Sequence, residues 1–332
     1  MATIIVPHAV PDPNEDCIVL RNAFADIGCD KKAVLDVICH RNQQQRHKIR
    51  AMYNGKYEED LLQRLRSELH SNLEKAAVLW MCNPAERDAL ILTEALKSLN
   101  KDHAALAEVF YLRTSAEIVD IRREYASIVN RSLEEDIATK ISGDEKKLLL
   151  AFLRQERTED DEVDMSLADT DAKDLLAAVS NRNAIDKAAI IKIFTTRSSS
   201  QLKAILDYYK LHFGHSLGKV LNQETQGGFR SCLRVTMKCA KDHINYFAKG
   251  LYKSMKGVGT DDSTLIRIVV TRAEIDMKDI KAHFSRKYQK PLQQMISSDT
   301  SKYYRAFLMS LVGAAQHEIQ SGSLTHRFSS RR

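Results

Sequence analysis

Residues 272–292 read RAEIDMKDIKAHFSRKYQKPL, and the spacing inside this stretch decides the fold. Counting from Arg272, an acid follows at +4 (Asp276), an isoleucine at +8 (Ile280), an aromatic at +12 (Phe284) and a leucine at +20 (Leu292). The same five positions recur three times upstream. They are Arg41, Gln45, Ile49, Tyr53 and Leu61; then Arg113, Glu117, Ile121, Tyr125 and Leu133; then Arg197, Gln201, Ile205, Tyr209 and Leu217. Steps of four residues run along one helical stripe, so the arginine, the acid or amide, the isoleucine and the aromatic are expected on one helix, apolar members inward. Four registers agreeing at five positions define a fourfold repeat. The arginines are expected to form structural ion pairs or helix-end contacts.

Upstream of each arginine, Val34, Leu106, Ile190 and Leu265 at −7, with Ile38, Phe110, Phe194 and Val269 at −3, describe a second amphipathic helix. The arginines are 72, 84 and 75 residues apart. A unit of about 70 residues has room for four or five helices, and no segment alternates with period two for long enough to make a strand. The fold class is all-α.

Composition agrees with a globular chain. The 332 residues are 44% hydrophobic and 28% charged, with only 12 glycines and 5 prolines, which excludes collagen-like and low-complexity classes. The longest mostly apolar run, 306–315, is shorter than the roughly 18 residues a membrane-crossing helix needs. Met1 to Asp12 has neither the basic start nor the apolar stretch of a secretory signal, so a cytoplasmic chain is expected. Six cysteines (17, 29, 39, 82, 232, 239) without a CxxC spacing read as reduced thiols. The net charge of +6 is unevenly spread. Residues 154–174 carry nine acids against three bases, and residues 230–332 carry 19 Lys/Arg against 8 acids. The acidic stretch reads as a solvated linker between two halves, and the basic third suggests attraction to an anionic surface, either lipid headgroups or nucleic acid.

Chemistry concentrates in one loop, Met255-Lys256-Gly257-Val258-Gly259-Thr260-Asp261-Asp262. Alternate glycines permit torsions that aim successive carbonyls into one concavity. Thr260 is expected to cap the next helix, with Asp261 and Asp262 in its first turn. Such a loop outlines a site for a hard cation. Calcium takes six to eight oxygens, so at least one carboxylate must join the carbonyls. The next interhelical loop on the same side, near Ser297 to Ser301, carries Asp299. One carboxylate implies weak intrinsic affinity, on the order of 10⁻⁴ M, until an anionic ligand completes the shell.

The four repeats, together with Gly257, Gly259 and Thr260 followed after 38 intervening residues by Asp299, resemble the annexins over residues 14–315, and Trp80 to Ala89 (WMCNPAERDA) is similar to the plant branch. The resemblance implies a curved disc of four five-helix repeats whose calcium loops bridge to acidic phospholipid. It implies an N-terminal segment (1–13), repeats at 14–83, 86–155, 168–240 and 243–315, an acidic linker (156–167) and a basic tail (316–332). It further implies that carbonyls of Met255, Gly257 and Gly259 and the carboxylate of Asp299 hold Ca²⁺, with Lys256 and Val258 at the membrane. Peripheral membrane association, a monomer in solution and self-association on membranes are expected; actin or other proteins are further partners considered, and nucleic acid is not expected.

In the same register, repeat one keeps Gly28 and Glu68 but has Asp26 for the first glycine and Cys29 for the threonine, a degenerate site. Repeat two presents Ser98, Leu99, Asn100 and Lys101, with Lys140 in place of the acid, and is expected to be silent. Repeat three has Arg182, Asn183, Ala184 and Ile185 with Glu224 retained, and is also expected to be silent. With one intact bridge, the protein would need more calcium or another attachment, which the basic C-terminal third could supply. The tail to Arg332, with His326, Arg327, Phe328 and Arg331, reads as a disordered extension or an added anionic contact.

GxG at 257–259 lacks the preceding strand and the third glycine or GK[ST] of a nucleotide loop. His40, beside Arg41, sits at the place linked to peroxidase activity in plant annexins, but a lone histidine reads as structural. Cys232 and Cys239 are expected to be buried on one helix. No catalytic constellation is found, so an enzyme is not expected. The alternative is a helical-repeat scaffold whose basic surface binds anionic membranes, actin or RNA without calcium.

Overall fold

The computed structural model describes residues 1–25, 28–97, 99–154, 157–180 and 184–314. Regular structure there is entirely helical. The first repeat comprises α1 (Pro13–Ala23), α2 (Lys31–Ile38), α3 (Gln43–Tyr57), α4 (Leu61–Glu68) and α5 (Ser71–Met81). The second comprises α6 (Pro84–Lys97), α7 (His103–Leu112), α8 (Ser115–Val129), α9 (Leu133–Lys140) and α10 (Gly143–Leu153). Then follow α11 (Met165–Ser180), α12 (Lys187–Thr196), α13 (Ser199–Phe213), α14 (Leu217–Glu224) and α15 (Gly227–Ser254). The last are α16 (Asp262–Arg272), α17 (Met277–Tyr288), α18 (Leu292–Asp299) and α19 (Lys302–Leu311). Non-helical torsions at Asp242 (φ −166°, ψ 89°) break α15, so its two halves close the third repeat and open the fourth, giving five helices to each.

The isoleucine, aromatic and leucine of every register are at most 1% exposed. Burying such side chains stabilises by roughly 1.5–3 kcal/mol each, which is why the pattern is kept four times. The arginines lie off that stripe. Arg41, Arg113 and Arg197 fall between the second and third helices of their repeats, and Arg272 ends α16. The stripe therefore begins at the +4 residue, which in the first two repeats helps start the third helix. Gln45 and Glu117 complete capping boxes with Asn42 and Thr114, satisfying otherwise orphaned N–H groups.

Each arginine holds a carboxylate. Arg41 grips Asp16 through two bonds of 2.7 Å, Arg113 reaches Asp88 at 2.5 Å, and Arg197 bonds Asp171 at 2.6 and 3.0 Å. These acids stand on the first helix of their repeats, 25 or 26 residues upstream. In the fourth repeat Phe247 takes that place. Arg272 lies 4.7 Å from the centre of its ring and pairs instead with Asp276.

The chain divides into two compact units, one of Met1–Asn83 with the chain from Ile244 onward, the other of Pro84–His243. In the first unit α5 packs on α16 and α19. Arg46, buried and 3.5 Å above the Trp80 ring, joins the carbonyl of Trp80 (2.9 Å) and Glu274 (2.7 Å), tying repeat one to repeat four. In the second unit α10 packs on α12.

The acidic stretch runs between α10 and α11, within the second unit, and residues 158–166 are exposed. Several of its acids also have partners: Glu159 accepts from the Ser115 N–H (2.5 Å), Asp164 caps α11, and Asp171 is buried against Arg197. A high count of acids there reflects helix starts and ion pairs as well as solvation. All six cysteines are buried free thiols, Cys232 and Cys239 among them. No described helix is long and apolar enough to cross a membrane. The tail from residue 316 lies outside the described residues.

Candidate calcium loops

The fourth-repeat loop starts where α15 ends. The Asp261 N–H donates to the Ser254 carbonyl at 2.8 Å, closing the turn. Within it, Gly257 (φ +113°) and Gly259 (φ +83°) occupy torsions that a side chain disfavours, although a Cβ at either would meet nothing within 4 Å. The glycines are there for the backbone path and not for space. Val258, between them, projects fully into solvent, and the Lys256 ammonium sits 5.5 Å from the Tyr252 ring.

Asp261, not Thr260, caps α16, its carboxylate accepting from the Thr264 N–H at 3.1 Å. The Thr260 hydroxyl turns instead to Asp299, donating to Oδ2 at 2.6 Å, with the Asp299 carbonyl at 3.3 Å. A charged acceptor makes the stronger bond, so the hydroxyl leaves the cap to its neighbour. This bond brings loop and carboxylate together.

Asp299 is the last residue of α18. A helix C-terminus carries partial negative charge, so a carboxylate there is poorly placed unless a cation joins it. No ion pair to Asp299 occurs among the described residues. A cavity of about 670 Å³ opens beside it, lined in part by Thr260, Asp262, Ser298, Ser301 and Arg305.

In repeat one the Asp30 N–H closes the loop on the Ala23 carbonyl (2.9 Å), and Gly28 has φ +91°, close to Gly259. The rest departs. Cys29 is buried where Thr260 stands, its thiol pushed up by burial and then by the Glu68 charge. Glu68 ends α4 and is engaged by Arg64 at 3.1 Å, one turn back. Asp26 lies outside the described residues. The Arg64 contact was readable from its i, i+4 spacing and went unread.

Repeat two places Lys140 at the end of α9, paired with Asp136 at 2.7 Å. In repeat three the Asp186 N–H closes on the Ala178 carbonyl (2.8 Å), and Glu224 is exposed at the end of α14. Ser98, Arg182 and Asn183 lie outside the described residues. His40 Nδ1 is 3.1 Å from the Asp36 carbonyl, one turn back at the end of α2.

Four five-helix repeats, the last with its interhelical loop bonded to the end of its fourth helix, define a class, and comparison with known proteins identifies it. The annexin family model matches residues 15–80, 87–152, 170–235 and 246–311, and the chain belongs to the annexin family. It is 42% identical to Annexin D5 of Arabidopsis thaliana over 94% of this chain and 99% of that protein, in keeping with the plant-type run Trp80 to Ala89. Among solved structures, Annexin III aligns with a TM-score of 0.89 at 31% identity, covering 95% of this chain and 98% of that one. The structure of calcium-bound annexin (Sm)1 aligns with a TM-score of 0.81 at 26% identity, covering 94% of this chain and 93% of that one. Calcium and phospholipid binding is the general function of this family.

Proposed function

We propose that this chain docks reversibly on acidic phospholipid when calcium fills the fourth-repeat loop. Asp299 carries the reading: a carboxylate at a helix C-terminus, without a cationic partner among the described residues, held by Thr260 against a loop with two glycines at positive φ. Its oxygens, with the carbonyls of Met255, Gly257 and Gly259, form the hard donor set calcium prefers, and four protein residues leave positions for lipid phosphate and water. Lys256 and Val258 stand on the loop where they would meet headgroups and the apolar layer beneath.

Repeat one contributes less because Arg64 already neutralises Glu68. Repeats two and three lack either the acid or the glycine loop, so calcium sensitivity rests on a single bridge. The protein works as a peripheral membrane protein and not as an enzyme. Co-sedimentation with phosphatidylserine vesicles across a calcium titration tests this. Asp299→Ala abolishes calcium-dependent binding, while Glu68→Ala shifts the midpoint by less than about threefold. Binding of wild type that is equal in chelator and in calcium would discard the mechanism for a calcium-independent scaffold.

A further inference from the structure

The second-repeat loop inverts the charge of the fourth. In the repeat register Leu96 stands for Met255, Leu99 for Val258, Lys101 for Thr260 and Lys140 for Asp299. The Lys101 Nζ donates to the Leu96 carbonyl at 2.7 Å. That carbonyl is the counterpart of the Met255 carbonyl assigned to calcium above, so in repeat two a covalently attached ammonium takes up the corresponding carbonyl.

Three further features accompany it. Lys140 ends α9, where a cation complements the helix dipole, and its side chain keeps 26% exposure. Its partner Asp136 is also held by Arg131 at 2.8 Å, so two cations surround one carboxylate and the cluster keeps net positive charge. The one acid inside the loop turn, Asp102, is turned to the N–H groups of Ala104 and Ala105 at 3.1 and 2.9 Å. Leu99 meanwhile projects fully into solvent, as does Val258.

We propose that this loop is a calcium-independent contact with anionic phospholipid, in which Lys101 and Lys140 meet headgroup phosphates and Leu99 enters the boundary between headgroups and acyl chains. Apolar tip and flanking ammonium groups are the pairing an anionic bilayer interface selects, whereas free phosphate would leave the leucine without a role. The inference rests on the membrane as partner in the function proposed above, but not on calcium. It changes the status of repeat two from a silent repeat to an anchor of opposite sign.

The test is sedimentation with vesicles of phosphatidylcholine and phosphatidylserine, in chelator at low salt, on wild type, Leu99→Asn and Lys101→Gln. All three are also measured with calcium, alongside Asp299→Ala. Wild type retains phosphatidylserine-dependent binding in chelator. Leu99→Asn lowers the partition coefficient about tenfold, the effect of losing one inserted leucine. Lys101→Gln lowers it about fivefold, the effect of one basic side chain near the surface. No binding in chelator, or either loop-two variant binding like wild type there, overturns the proposal. Equal capture on polyglutamate beads with the same sensitivity to Leu99→Asn overturns the assignment to lipid. Failure of the fourth-repeat mechanism appears separately, in the calcium arm of Asp299→Ala.

Discussion

Arg113 and Arg197 hold equivalent aspartates, but their side chains are 10% and 22% exposed, and that difference sets what each pair is worth. Removing one partner of a buried pair leaves an uncompensated charge and costs about 3–5 kcal/mol, whereas water relieves a more exposed one. Asp88→Ala is therefore expected to destabilise more than Asp171→Ala, by the shift of the urea midpoint. Gly259 offers a second residue-scale prediction. Gly259→Ala meets no steric obstacle but must hold φ +83°, at a cost of roughly 1–2 kcal/mol. The variant folds, and its calcium midpoint for vesicle binding rises. At this scale the permissive torsions of the loop glycines and the approach of Asp299 to the loop were legible, because alternate glycines and a fixed spacing to an acid are visible in one dimension. Thr260 was misread, since its partner lies on α18, 39 residues away. Asp16, Asp88 and Asp171 were missed for the same reason: the spacing of about 25 residues crosses helices and follows no helical period.

Two helices of the second unit, α7 and α10, meet at their starts. His103 opens α7 and its Nδ1 lies 2.5 Å from Glu145 in the first turn of α10. The bond to Glu145 raises the imidazole above its ordinary value of 6.5, with burial opposing. A group whose folded pKa is raised stabilises fully below its unfolded pKa and loses that contribution as pH rises through the folded one. Wild type is thus expected to lose melting temperature relative to His103→Gln as pH goes from about 6 to about 9. A flat difference across that range would show that the pair does not link protonation to stability. Helix identity at this scale was legible almost throughout, from the Ile, aromatic and Leu stripes. The arginine was assigned to the wrong side of a helix start because a four-residue step continues unbroken through a capping box.

At the scale of the molecule, repeats two and three form a continuous unit, Pro84–His243, whereas repeats one and four form the other from opposite ends of the chain. A fragment spanning 84–243 is expected to fold alone, with helical circular dichroism and a cooperative melt, while a fragment of residues 1–83 is not. Loss of cooperativity in the 84–243 fragment would refute that division. The fourfold pattern revealed the repeats but not their pairing, because all four carry the same inward stripe and nothing in it names a partner. Arg46 reaching Glu274 is a contact across 228 residues. During synthesis, α5 leaves the ribosome with its packing face bare while about 190 more residues are made before α16 can cover it, a wait of roughly 10–40 seconds at ordinary elongation rates. For that interval the first repeat is a client for chaperones, and the nascent chain is most exposed to aggregation before its last quarter emerges.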